Sequence, residues 1–166
     1  GAVLEAVFAP YQGKRTGEIS LLRRVWHQLN KGDVLLGDRI YCSYFEIALL
    51  GQRGVDGVFH KHQSRRTDFR TGKRLGRNDH LVEWSKPRRP EWMDEATYQA
   101  LPQNLVVREV RVAVHCPGFR VHRVEIITTM LDSKEVSLSE LGDLYRRRWE
   151  AELNLRSLKS SMGMDR

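Results

Sequence analysis

Residues 138–162 (LSELGDLYRRRWEAELNLRSLKSSM) read as one long helix whose apolar stripe carries charge. Ser137-x-x-Glu140 is a capping box that opens it. At about 100° per residue, Leu138, Leu141, Leu144, Trp149, Leu153 and Leu155 share one half of the helix. Asp143, Arg147, Glu150, Asn154 and Ser157 take the other, solvated half. On the same projection Tyr145, Arg148, Glu152 and Lys159 fall within about 60° of one another, in the middle of the apolar half. A fold that accepts this helix must cover its leucines with another layer and still give the polar row partners. Unpaired buried charges are too costly to leave. Two occupants satisfy that demand: an internal ion-pair ladder built on the Arg148–Glu152 pair, or metal ions and phosphate groups. The pattern alone leaves both open.

The layer that covers this helix is expected from the earlier chain. Gly1–Ala9 alternates weakly, as a strand would, and Gly17–Asn30 has Ile19, Leu22, Val25, Trp26 and Leu29 at helical spacing. Val34–Gly37 is a short apolar run bounded by turn formers, a buried strand ending at Asp38. A second capping box, Ser43-x-x-Glu46, starts a helix over Tyr44–Leu50. Gly51, Gly54 and Gly57 are expected to break it before a strand over Val55–His60. Strands and helices in alternation predict an α/β layer structure.

Between Lys61 and Asp132 the pattern turns β-rich. Phe69–Leu75, with Thr71-Gly72, suggests a tight hairpin turn, and His80–Trp84 a short strand. Lys86–Trp92 is a Pro- and Arg-rich connector. Leu105–His115 and Phe119–Leu131 alternate about Pro117-Gly118 and predict a β-hairpin. No internal repeat or low-complexity tract interrupts this order.

Charge is concentrated in one place. Residues 61–90 hold ten Lys and Arg against Asp68, Asp79 and Glu83, which equals the +7 of the whole chain. A local basic patch is the footprint of a polyanion, with Arg65, Arg66, Arg88 and Arg89 as candidate phosphate contacts. A solvated loop is the alternative. Trp84 and Trp92 flank the connector; Trp84 is a candidate for stacking on an extruded base, or else the pair are plugs packing this segment onto the core.

Composition sets further bounds. A chain of 166 residues, 40% apolar, makes about one domain. It has no run of roughly 18 apolar residues that would span a membrane, and its start lacks a signal-peptide pattern. Cys42 and Cys116 are too few for a disulfide scaffold or a zinc site and are expected to be buried hydrophobes in a reducing cytoplasm. The six histidines show no zinc spacing. His60 follows a predicted strand, where it is expected to be structural or to touch a phosphate.

The polar row on the last helix has a recognisable spacing. Tyr145, two residues, Arg148, three residues, Glu152, six residues and Lys159 spell Y-(2)-R-(3)-E-(6)-K within YRRRWEAELNLRSLK. This resembles bacterial insertion-sequence transposases of the DDE class, in the insertion-sequence-4 group. GDVLLGDRIYCSY, residues 32–44, resembles the segment around the family's second catalytic aspartate. The resemblance covers essentially the whole chain and implies a ribonuclease H-like core with a β-rich insertion at about 61–132. It also implies Asp38 and Glu152 as catalytic carboxylates holding Mg²⁺ or Mn²⁺, two ions in the complete enzyme. Tyr145, Arg148 and Lys159 match the family's DNA-contacting positions. The implied partners are DNA and a second copy of the protein in a synaptic dimer, and the implied place is the bacterial cytoplasm, at the nucleoid.

One feature departs from the family. Its first catalytic aspartate lies on a separate strand well upstream of the second, whereas the only earlier aspartate here is Asp33, at the mouth of the strand that ends at Asp38. The chain is therefore expected to be a partial catalytic domain, inactive by itself. The chemistry explains the residue types. Two hard cations about 3.5–4 Å apart need carboxylate oxygens to bridge and space them. Arg supplies a phosphate fork and Lys a point charge. Three readings follow: a transposase core, another two-metal nuclease such as a resolvase, or a DNA-binding remnant without activity.

Overall fold

The computed structural model describes residue 7, residues 17–114 and residues 122–161; the side chains at 122, 149, 152, 155, 156, 158 and 159 lie outside that description. The strand expected over Gly1–Ala9, the Pro117-Gly118 turn and Cys116 fall outside it too. Within it the order is α1 (Glu18–Val25), β1 (Val34–Gly37), α2 (Tyr44–Gln52), β2 (Asp56–His60), β3 (Lys73–Gly76), β4 (Asp79–Ser85), α3 (Glu95–Ala100), β5 (Asn104–Val114), β6 (His122–Thr128) and α4 (Leu138–Ser161). Short 3-10 turns follow α1 and β1. Among the described residues no helix is long and apolar enough to cross a membrane.

The six strands form one sheet in the order β1-β2-β6-β5-β4-β3. β1 and β2 run parallel, with α2 between them in the chain, and every other pairing is antiparallel. The β-rich segment is thus no separate layer: β6 pairs directly with β2, placing Phe59 beside Ile127 and His60 beside Ile126.

Strand alternation divides the core in two. On one face Phe59, Ile127, Val107 and Trp84 pack with Tyr44, Ile47, Ala48 and Leu50 of α2. On the other, Val58, Ile126, Val110, Val112 and Val114 pack with Leu141 and Tyr145 of α4. Both parallel strands are covered on both faces, as such pairs require. Gly37 and Gly57 serve this packing. Phe59 is fully buried, its ring lies over both, and a Cβ at either would collide with it. Gly57 belongs to β2, within the strand expected over Val55–His60, while Gly51, expected to end the preceding helix, lies inside α2. At Gly57 the missing side chain makes room for a neighbour's ring.

The capping signals differ in outcome. At α4 both arms of the box close: Glu140 N–H donates to Ser137 Oγ at 3.3 Å and Ser137 N–H donates to Glu140 Oε2 at 2.8 Å. At α2 only Ser43 caps, accepting from Glu46 N–H at 3.3 Å. The Glu46 carboxylate turns instead to Arg23 of α1 and is buried there. Burial raises its pKa more than the Arg23 guanidinium lowers it. α3 lacks a long apolar period and is missing from the expected elements; Asp94 caps it through Thr97 N–H at 2.8 Å. The hairpin between β3 and β4 turns at 77–78, not at Thr71-Gly72. Gly72, with φ of 71°, makes the turn that leads into β3.

A buried ion pair fixes the approach to α4. Arg108 on β5 is fully buried and forks onto Asp79 at 2.8 and 2.6 Å. Its remaining donor reaches Val136 O at 2.6 Å, just before the Ser137 cap. A guanidinium satisfied on a carboxylate and a carbonyl is a stable way to bury that charge.

Candidate functional site

The C-terminal ends of β1 and β2, with α4 packed across the same sheet face, bring the polar residues together. Asp38 is the first residue after β1; its carboxylate accepts from Arg39 N–H at 2.7 Å and so caps the following 3-10 turn. The side chain remains 46% exposed. His60, the last residue of β2, lies with Nδ1 3.8 Å from Asp38 Oδ1. Burial, reinforced by Arg39 and Arg148 and opposed by Asp38 and Glu125, lowers the His60 pKa.

From the other side α4 presents Tyr145 and Arg148. Tyr145 is 1% exposed and meets the His60 ring edge-on, with centroids 5.8 Å apart. Arg148 Nη2 donates to the Tyr145 hydroxyl at 3.0 Å, and its guanidinium lies 4.8 Å from the ring centroid. The helix face carrying Tyr145 and Arg148 is therefore the face against the sheet, with Asp143, Arg147, Glu150, Asn154 and Ser157 exposed as expected. Leu153 departs from the pattern: it is 41% exposed. The leucines that do pack on the sheet, Leu138, Leu141 and Leu144, sit in the first two turns of α4. The side chains of Glu152 and Lys159 lie outside the described residues, although the α4 helix includes both positions.

The implied metal can be weighed against these groups. Among the described residues no cluster of three potential ligands forms. Asp38 is a half-exposed carboxylate of the hard-oxygen type that Mg²⁺ takes. Seven residues beyond Tyr145, or about 10 Å along the helix axis, the backbone reaches position 152. Of the two expected ligands, Asp38 has the donor chemistry for such an ion, and the Glu152 side chain lies outside the described residues.

The predicted DNA contacts divide. Arg66 and Arg88 are exposed. Arg65 is half-buried, with its guanidinium 3.6 Å from the Trp84 ring centroid. Arg89 is held by Met93 O at 2.6 Å and Glu95 at 2.9 Å. Trp84 itself is 6% exposed within the α2-side core. That corrects its expected role as a stacking surface: one face of the ring carries Arg65 and the rest is packed as a plug. Trp92 is exposed at the edge but carries Arg23, 3.4 Å from its ring centroid. Cys42 is buried as expected, and burial pushes its thiol up to about 11.

Three cations near the site do not stand out in the sequence. Arg39, Arg111 and Arg123 line a cavity of about 330 Å³ together with Lys61, Arg65 and Glu125, reaching His60. Arg39 is legible as the neighbour of Asp38. Arg111 and Arg123 need the β5–β6 register, which sets Arg111 beside Glu125 and Ala113 beside Arg123.

Comparison with known proteins agrees with the spacing on α4. Residues 4–166 match the family described as Transposase DDE domain. The chain is 26% identical over 167 residues to the transposase InsG for insertion sequence element IS4 of Escherichia coli (strain K12), across 95% of this chain and 34% of that protein. It thus spans about a third of the length of the curated relative it matches. No solved structure matches it. With Asp38 at the end of β1 and the Tyr145–Arg148 row facing it from α4, the chain belongs to the DDE transposase family.

Proposed function

We propose that this chain is part of the catalytic core of a cut-and-paste DNA transposase, on a ribonuclease H-like arrangement with residues 61–132 as the β-rich insertion. The observation that carries this reading is the convergence of Asp38, His60, Tyr145 and Arg148 where β1 and β2 end beneath α4. In open α/β sheets ligands bind outside the carboxyl ends of the strands, which is where this group sits. Two Mg²⁺ or Mn²⁺ ions, when bound, would supply activation of the attacking oxygen and stabilisation of the leaving one.

The chain's own residues have separable roles. Asp38 and Glu152 are the carboxylates that would hold the ions. Asp33, at the opposite end of β1, is left out of the set. Arg148 neutralises a phosphate oxygen, and its bond to the Tyr145 hydroxyl fixes the direction of the guanidinium. Tyr145 is wedged against His60, which holds its ring in place beside Asp38. Lys159 adds a point charge to the transposon end, and Arg66 and Arg88 extend the contact along the duplex. A synaptic dimer on paired ends and a cytoplasmic, nucleoid site of action accompany this function.

Glu152→Gln in the full-length protein tests it. The change keeps size and hydrogen-bonding capacity while removing the charge a metal needs. Strand cleavage is expected to vanish, with thermal stability and transposon-end binding close to the parent protein. An internal ion-pair ladder predicts the reverse: removing one partner of a buried pair costs about 3–5 kcal/mol. A variant that melts far below the parent yet cleaves DNA when folded would overturn the assignment.

A further inference from the structure

The cavity beside Asp38 lies largely on the sheet face opposite α4. Arg111 and Glu125 are paired across β5 and β6, and two pairs further along Glu109 and Ile127 face the α2 side, so by strand alternation Arg111 and Glu125 face that way too. Five cations, Arg39, Lys61, Arg65, Arg111 and Arg123, meet a single carboxylate there, Glu125. Lys61 and Arg111 both pair with Glu125 and hold its pKa below the ordinary carboxylate range, so it is ionised and already matched. Arg39 also lies 3.9 Å from the half-exposed Asp38, a weak surface pair, and among the described residues no second carboxylate lines the cavity. Arg39 and Arg111 keep side chains 48% and 40% exposed, and Arg123 is exposed. Arg39 and His60 belong both to this wall and to the surroundings of Asp38, so the cavity opens directly onto the proposed reaction centre.

We propose that this cavity is a second phosphate site, which holds a phosphodiester of the DNA strand passing Asp38 on the side away from Arg148. Arg39, Arg111 and Arg123 are the contacts, and the Lys61–Glu125 pair is the scaffold that keeps Arg111 extended. The inference rests on the transposase reading but concerns a different group of residues. Guanidinium groups that meet only backbone phosphate carry no sequence information, so the site positions the strand and does not select it. A strand held there would lie between two sets of cations, with Asp38 in the gap.

The test is the salt dependence of duplex binding by the full-length protein. Arg111→Gln with Arg123→Gln is expected to flatten the slope of log K against log salt by about 0.9 for each phosphate no longer neutralised. The weakening should be equal for a transposon-end duplex and a scrambled one. Glu125→Gln is expected to have the opposite sign, because it frees two cations while keeping a hydrogen-bonding side chain of the same size. Inorganic phosphate at millimolar concentration should compete only weakly if the ligand is a DNA strand; full competition would assign the cavity to a free anion instead and overturn the proposal. Unchanged slopes in both variants, with parent-like cleavage, would overturn this site while leaving the transposase reading intact. Cleavage that survives Glu152→Gln, alongside the expected slope changes, would instead overturn the catalytic reading and leave the site standing.

Discussion

The connector after β4 and the cavity beside Asp38 are both dense in cations, and their side chains are employed differently. In the connector, Lys86 donates to Tyr98 O at 3.1 Å and Leu101 O at 2.8 Å, and Arg89 is bound to Met93 O and Glu95. Those charges are bound to carbonyls at the two ends of α3, where acceptors remain available, and Tyr98 O takes Lys86 in addition to the Leu101 N–H. Among the described residues the cations lining the cavity outnumber its one carboxylate, Glu125, and Arg39 has beside it only the half-exposed Asp38. Charge density along a sequence is the same signal in both places. The distinction comes from acceptors: a cation already bonded to the chain's own carbonyls is part of the scaffold, and one left facing solvent with its neighbours is available to a polyanion.

The largest effect expected from this contrast is at Arg108, the most deeply placed cation. Arg108→Ala leaves Asp79 buried without its fork and should cost about 3–5 kcal/mol in denaturant unfolding. A drop below about 1 kcal/mol would break the claim that such cations are scaffold, since that is the range of exposed pairs. Next comes the connector. Lys86→Met should lower stability by about 1.5–3 kcal/mol, the range for hydrogen bonds to charged groups, and leave the salt slope of DNA binding unchanged. A flattened slope in that variant would erase the distinction.

The smallest effect is at Glu125. Its pKa is depressed in the fold because the Lys61 and Arg111 bonds outweigh the opposing effect of burial. A depressed carboxylate pKa adds stability that is present above the unfolded-state value and is lost as pH falls through the folded value. Thermal melts of the parent should therefore fall more steeply than those of Glu125→Gln as pH drops below about 4.5, near the ordinary Glu value. Parallel melting curves over that range would count against the Lys61–Glu125–Arg111 arrangement.

Much of the α/β frame is legible in the sequence because it rests on local signals. The four residues of β1, the Ser43 and Ser137 caps and the span of α4 follow from apolar runs and turn formers. The site is legible where its members share one helix face, as Tyr145 and Arg148 do, or close a strand, as Asp38 does. What stays hidden depends on partners distant in sequence. Arg108 and Asp79 are 29 residues apart, and neither looks buried in isolation. Trp84 is ambiguous because nothing local tells a packed indole from an exposed one; its burial is decided by α2 and Val107. Arg111 and Arg123 converge only once the β5–β6 register is fixed. The turn at 77–78 escapes a sequence reading because Thr71-Gly72 offers the stronger short-range turn signal.

The Arg108 clamp has a mechanical consequence. It fixes Val136, one residue before the cap of α4, and among the described residues Leu138, Leu141, Leu144 and Tyr145 hold the start of the helix on the sheet. From Leu141 to position 152 the helix runs about 16 Å, so a tilt of about 5° at its base would carry position 152 sideways by about 1.4 Å. Displacements of about 1 Å are enough to cost a reaction roughly a hundredfold. The helix behaves as a lever whose fulcrum is a salt bridge on the far strands. On the catalytic reading proposed above, the placement of position 152 relative to Asp38 would follow a pair, Asp79 and Arg108, that sits on β4 and β5.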